Sequence, residues 1–146
     1  MKIKDKTILI TGASSGIGLE FASLLAKNGA NIILVARRTD KLKELAAKLK
    51  NDFNTKCLVL PIDLQDHTEI DQAFNNLEPS WLNIDVLINN AGLALGREKI
   101  QNTTASDWGT MFATNVTGLL AVTQNILPRM IKNNHGHIIN IGSIAG

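Results

Sequence analysis

The sequence predicts an α/β fold built on a doubly wound parallel sheet of five strands. Three observations carry that prediction. Short apolar runs rich in β-branched residues alternate with longer stretches whose apolar residues recur every three or four positions. The runs show little polar alternation, the pattern of strands buried on both faces of a parallel sheet. A glycine-rich turn, Gly12 to Gly18, joins the first run to the first periodic stretch, as a strand-to-helix connection in such a sheet requires.

Taken in order, Thr7-Ile8-Leu9-Ile10 is the first strand. The helix after the turn places Ile17, Phe21, Leu24 and Leu25 on one stripe, and Gly29 is suited to end it. Ile32-Ile33-Leu34-Val35 is the second strand. Asp40 is placed to cap the next helix, in which Leu42, Leu45, Ala46, Leu49 and Phe53 repeat at helical spacing. Leu58 to Ile62 forms the third strand, with Pro61 near its end where a missing N–H is tolerable. Ile70, Ala73, Phe74 and Leu77 mark a third helix that stops before Pro79. Asp85-Val86-Leu87-Ile88 is the fourth strand and His137 to Ile141 the fifth. Between them runs one long helix from about Ser106 to Lys132, with Trp108, Met111, Phe112, Asn115, Leu119, Val122 and Ile126 on an inward stripe. Pro128 predicts a kink or local break in it. With no internal repeat, low-complexity tract or linker, residues 1–146 read as one domain, with the strands expected in the order 3-2-1-4-5.

Composition narrows the function. Fifteen basic residues against thirteen acidic ones leave a net charge of +2, far from the one-signed field of a nucleic-acid binder. No apolar run approaches membrane-spanning length, and the basic start, Met1 to Lys6, leads only into Thr7 to Thr11 before the first glycine. Cys57 is the single cysteine, set among Leu58, Val59 and Leu60 as a buried strand thiol. A protein of a reducing, cytoplasmic compartment is expected.

The chemistry starts at Thr11-Gly12-Ala13-Ser14-Ser15-Gly16-Ile17-Gly18. Glycines without side chains let the backbone turn sharply and approach a pyrophosphate, whose charge then sits at the N–H groups of the following helix. A tight strand-to-helix turn with no ligand is the plainer reading, and the hydroxyls of Ser14 and Ser15 favour the dinucleotide. At the end of the second strand, Arg37 and Arg38 stand where NAD-specific proteins carry an acid for the ribose 2′-hydroxyl. Two guanidiniums suit a 2′-phosphate, so NADP (NADPH) is the expected cofactor. A solvated arginine pair is the alternative. Asn89 and Asn90 follow the fourth strand at its carboxyl end, where ligands bind in open parallel sheets, or else form a simple asparagine turn. Asn115 is an amide on an apolar face and must find partners in backbone, water or ligand.

With those residues in place, the chain is similar to the short-chain dehydrogenase/reductase family, whose fold is of the Rossmann type. Gly12-x-x-x-Gly16-Ile17-Gly18, Asp63-Leu64, Asn89-Asn90-Ala91-Gly92, Asn115 and Ser143 match its motifs in the right order. Gly92-Leu93-Ala94-Leu95-Gly96, Asp107-Trp108 and the run from His135 to Ser143 resemble NADP-dependent 3-hydroxy acid dehydrogenases, which oxidise serine, allo-threonine and related acids. The resemblance implies that Asp63 lies near the adenine amino group, with Leu64 beside it. It places Asn90, Ala91 and Gly92 behind the ribose and nicotinamide. Asn115 anchors a water of the proton relay, and Ser143 polarises the substrate carbonyl. Homo-oligomers are implied, acting on a small hydroxy acid or carbonyl compound.

One part of that pattern is absent from these residues. The family's proton donor is a tyrosine in Tyr-x-x-x-Lys shortly after the serine, and the sequence contains no tyrosine. His67 opens the third helix, while His135 and His137 flank a glycine turn at the amino end of the fifth strand, so none is placed to replace it. The resemblance therefore implies the N-terminal part of a longer fold, with its C-terminal part missing. The expectations are a fifth strand left as an unprotected edge, a chain that is unstable alone or associates through that edge, and no turnover by these residues alone. An NADPH-binding regulator without catalysis, or a decayed remnant, is the alternative.

Overall fold

The computed structural model of the protein describes residues 2–95 and 100–143, so Gly96 of the loop motif lies outside the described residues. Strands β1 (Thr7–Thr11), β2 (Asn31–Ala36), β3 (Cys57–Pro61), β4 (Val86–Asn89) and β5 (His137–Asn140) form one parallel sheet in the order β3-β2-β1-β4-β5. The connection reverses direction between β1 and β4, which opens a crevice at the carboxyl ends of the strands. The expected strand order is the observed one.

Alternation along each strand divides the core into two layers. Ile8, Ile10, Ile32, Leu34, Val86 and Ile88 face helices α1 (Gly16–Lys27) and α2 (Thr39–Phe53), meeting Ala22, Ala26, Leu42, Leu45 and Leu49. Leu9, Ile33, Val35 and Leu87 face the other way, against α3 (His67–Asn75) and α5 (Leu119–Lys132), meeting Ile70, Phe74, Val122, Ile126 and Met130. The central strands β1, β2 and β4 are buried almost throughout. The edges are not: β3 is half-buried and β5 largely exposed. Cys57 therefore sits on an edge strand, packed against one core layer, where burial pushes its thiol up to about 11.

Several local expectations are corrected. On α1 the buried positions are Gly18, Ala22 and Ala26, while Ile17 and Leu24 are exposed. Small residues face the sheet because the glycine turn brings α1 close against it, so the periodicity of the larger residues misplaces the inner face by one position. The end of α1 behaves as expected: Gly29 has φ +85°, its N–H donates to Ala26 O, and that of Ala30 to Leu25 O. Asp40 does not cap α2. The cap position is Arg38, whose side chain makes no capping bond, and Asp40 lies inside the first turn, where a carboxylate still favours the helix dipole. In α3 the cap is Asp66, accepting from Glu69 N at 3.0 Å, and Leu77 stays buried beyond the helix end.

The long helix is the largest departure. It begins at α4 (Ala105–Phe112), where Thr104 and Asp107 form a reciprocal cap. It then widens into a π-helical stretch, Ala113–Gly118, before α5. Trp108 and Phe112 are exposed, and the buried stripe begins at Gly118 and runs along α5 at Ala121, Val122, Ile126 and Met130. The inserted π turn rotates the face that follows it, so one periodic stripe cannot describe both halves. Pro128 lies within α5, which continues to Lys132 without a break. Among the described residues, no helix is long and apolar enough to cross a membrane.

Candidate cofactor cleft

The crevice at the β1/β4 switch is a cleft of about 660 Å³. Five segments meet there: Gly12, Ser14, Ser15 and Ile17 from the first turn and the start of α1; Ala36, Arg37 and Arg38 at the end of β2; Ile62, Asp63 and Leu64 after β3; Asn90 to Leu93 after β4; and Thr114 from the π turn. All but five of the candidate site residues read from the sequence thus come together. Gly16, Gly18, Asn89, Asn115 and Ser143 do not line it, although Gly18 packs against Gly12 O and Asn90 Nδ2, two of the lining residues.

The first turn follows from what its residues lack. Gly12 has φ +68°, and a Cβ on it would stand 2.8 Å from Ala91 Cα. A Cβ on Gly18 would run into Gly12 O and Asn90 Nδ2. Both positions therefore require glycine, one for conformation and both for room. The turn ends at α1, whose first-turn N–H groups have no cap from the Ser15 side chain.

Thr11 is the residue that sequence reasoning passed over. It is 2% exposed, and its Oγ1 accepts from the N–H of Asn90 at 3.0 Å and of Ala91 at 2.9 Å. Its own hydrogen points to Ile88 O at 3.5 Å. Asn90 reciprocates, its Nδ2 donating to Thr11 O at 3.0 Å and Gly12 O at 3.4 Å. Asn90 is thus neither a plain turn residue nor a bare ligand group. It locks the loop after β4 to the loop after β1. A buried threonine closing a β-branched strand was the available signal, but threonine is also an ordinary strand residue. Asn89, 2% exposed, ties β4 to its neighbours through Thr123 Oγ1 at 3.1 Å and Asn140 Oδ1 at 2.9 Å.

At the β2 end of the cleft, Arg38 Nη2 donates to Ser15 Oγ at 2.8 Å and Ser14 Oγ at 3.1 Å. Asp63 Oδ1 accepts from Gln65 N at 3.1 Å, while Asp63 N donates to Glu69 Oε2 at 2.8 Å, so this loop is shaped by its own carboxylates. Asn115 is half-buried and makes one donor and one acceptor bond to a single residue. Its Oδ1 accepts from Leu93 N at 2.9 Å and its Nδ2 donates to Leu93 O at 2.8 Å. A backbone partner was one of the readings open from sequence, and it is supplied by the loop beyond β4. Farther along the π turn, a Cβ on Gly118 would meet Leu64 O, so this stretch is pressed against two cleft loops. Ser143 is exposed beyond the end of β5, whose pairing continues through the bond from Ile141 N to Asn89 O at 2.9 Å.

The histidines stand elsewhere. His67 is the first residue of α3 and His137 the first of β5. His135 Nε2 lies 3.1 Å from Asp85 Oδ1, which also receives Lys6 Nζ at 2.8 Å, at the amino end of the sheet. Burial pushes the Asp85 carboxyl up, but bonds from Lys6, the Thr7 N–H and His135 outweigh it and hold the group below its ordinary value.

Comparison with known proteins agrees with this geometry. The family model for short chain dehydrogenase matches residues 6–146. The NADP-dependent 3-hydroxy acid dehydrogenase of Schizosaccharomyces pombe is 44% identical over 146 residues, covering 99% of this chain and 56% of the relative. Serine dehydrogenase from Escherichia coli superposes with a TM-score of 0.86 at 40% identity, over 95% of this chain and 62% of that one. L-Sorbose reductase from Gluconobacter frateurii, solved with NADPH and L-sorbose, gives a TM-score of 0.90 at 34% identity, over 99% and 55%. The chain spans about half the length of the curated relatives it matches. By motif, strand order and family match together, it belongs to the short-chain dehydrogenase family.

Proposed function

We propose that this chain binds NADP(H) and forms the cofactor-binding part of an oxidoreductase acting on a 3-hydroxy acid or a similar secondary alcohol or carbonyl compound. The observation that carries the reading is the cleft, where a glycine turn with no room for a Cβ, an uncapped helix N-terminus and two arginines converge. Its volume of about 660 Å³ suits a ligand of this size. When bound, the cofactor supplies or accepts the hydride.

The chain's own residues bind and orient. N–H groups of the Gly12 turn and of the start of α1 hold the pyrophosphate. Arg37 and Arg38 take the 2′-phosphate, a charge that an acid in their place would repel. Asp63 accepts from the adenine amino group, and Leu64 packs beside it. Asn90, Ala91 and Gly92 back the ribose and nicotinamide, held there by Thr11. Asn115 fixes Leu93 through one donor and one acceptor bond, and its second Nδ2 hydrogen and second Oδ1 lone pair serve to anchor a water of the proton relay. Ser143 polarises the substrate carbonyl. Proton transfer needs an acid at that carbonyl, and the 146 residues contain no tyrosine to supply it. The hydroxy-acid preference draws on the relatives named for it. A cytoplasmic, homo-oligomeric enzyme is the matching whole-protein picture.

The test is fluorescence titration with NADPH and NADH, followed by assays with NADP⁺ and serine or 3-hydroxybutyrate. NADPH preference without turnover is expected. Preference for NADH, or no binding of either, would refute the cofactor reading, and turnover would refute the need for a further proton donor. A second reading is an NADPH-binding regulator that does not catalyse. The intact mass of the protein from its own cells separates the two. A mass above that of these residues supports the enzyme, and an equal mass supports the regulator.

A further inference from the structure

Ser15 precedes the first turn of α1 with extended backbone, φ −168° and ψ 168°. A serine there ordinarily turns its hydroxyl back to accept from an N–H of the helix, the reason serine is favoured at that position. Here it makes no such bond. Its Oγ accepts instead from Arg38 Nη2 at 2.8 Å, and Ser14 Oγ accepts from the same nitrogen at 3.1 Å. These contacts consume the hydrogens of Nη2 and leave those of Nε and Nη1 uncommitted. They join the glycine turn to the end of β2, whose strands are already in register, with Thr11 beside Val35.

An exposed arginine gives up considerable rotamer freedom when it orders against an anion. If part of that ordering precedes binding, affinity rises without any new contact to the ligand. We infer that Ser15 is a positioning residue for cofactor selectivity. It holds Arg38 against the glycine turn, poised for a 2′-phosphate, and so couples discrimination at the ribose to the turn that takes the pyrophosphate. Because Ser15 does not cap α1, the same arrangement leaves the helix N–H groups to the anion. The inference rests on the NADP(H) reading above and adds to it a residue that acts through Arg38 rather than on the cofactor.

The test is a double-mutant cycle read as the ratio of NADPH to NADH affinity, a ratio unaffected by any loss of folded protein. S15A is expected to lower that ratio about fivefold, the scale of one charge-assisted hydrogen bond at an exposed site. S15T, which keeps the oxygen, restores most of it. In an R38A background the S15A effect should vanish. If S15A weakens both cofactors alike, or still lowers the ratio without Arg38, Ser15 acts directly on the cofactor and the inference is overturned. A wild-type chain with no preference for NADPH removes the cofactor reading itself, and the inference with it.

Discussion

Replacing Thr11 by valine keeps shape and burial and removes one oxygen. That oxygen accepts from two consecutive backbone N–H groups, Asn90 at 3.0 Å and Ala91 at 2.9 Å, and donates to Ile88 O. A buried donor left without a partner costs about 1–3 kcal/mol. Two such donors set an upper range of about 2–6 kcal/mol, reduced because Asn90 and Ala91 are half-buried beside an open cleft where water can replace one bond. The expected loss is about 2–4 kcal/mol. With a urea slope of about 2 kcal/mol/M for a chain of this size, the unfolding midpoint should fall by about 1–2 M. Thr11→Ser keeps the oxygen and loses only a methyl, for a cost of about 1 kcal/mol. Equilibrium urea unfolding followed by far-UV circular dichroism measures both. A T11V midpoint no lower than that of T11S would show that the hydroxyl does not hold the two loops together.

Other expectations follow from the same geometry. Gly18→Ala forces a Cβ into Gly12 O and Asn90 Nδ2, so it should cost about 1–3 kcal/mol and weaken NADPH binding at least tenfold in titration. Unchanged NADPH affinity would mean that the turn has slack that the structure does not show. Asn115→Leu removes both bonds to Leu93 and strands its backbone groups, which should cost about 1–3 kcal/mol and speed hydrogen exchange in the loop after β4. Unaltered exchange there would sink that account. Asp85 has a folded pKa below its unfolded value of about 3.9, so its stabilisation is complete above that value and is lost as pH falls through the folded pKa. Thermal melts of wild type and Asp85→Asn should therefore differ most at neutral pH and converge below about pH 4. A difference that persists undiminished at pH 3 would contradict the argument.

The order of the sheet was legible because it depends on long-range averages. Apolar runs buried on both faces, helical spacing between them and a glycine turn after the first strand admit few other topologies. The cleft residues were legible for a related reason. Gly12, Arg37, Arg38, Asp63 and Asn90 stand at strand ends or on the turn, where a parallel sheet must present its site.

What the linear pattern could not show is how helix faces and single polar groups are used. The inner face of α1 is set by small residues pressed on the sheet rather than by its largest apolar ones. The π turn at Ala113–Gly118 rotates α4 away from the register of α5, leaving Trp108 and Phe112 outside. The partners of Thr11, Asn115 and Ser15 lie 22 or more residues away along the chain. Sequence alone thus determined the kind of sheet, the position of the cleft and the chemistry of its lining, because periodicity and turn residues act locally. Tertiary structure decided which hydroxyl or amide holds which loop, because a hydrogen bond depends on distances that exist only once the strands are packed.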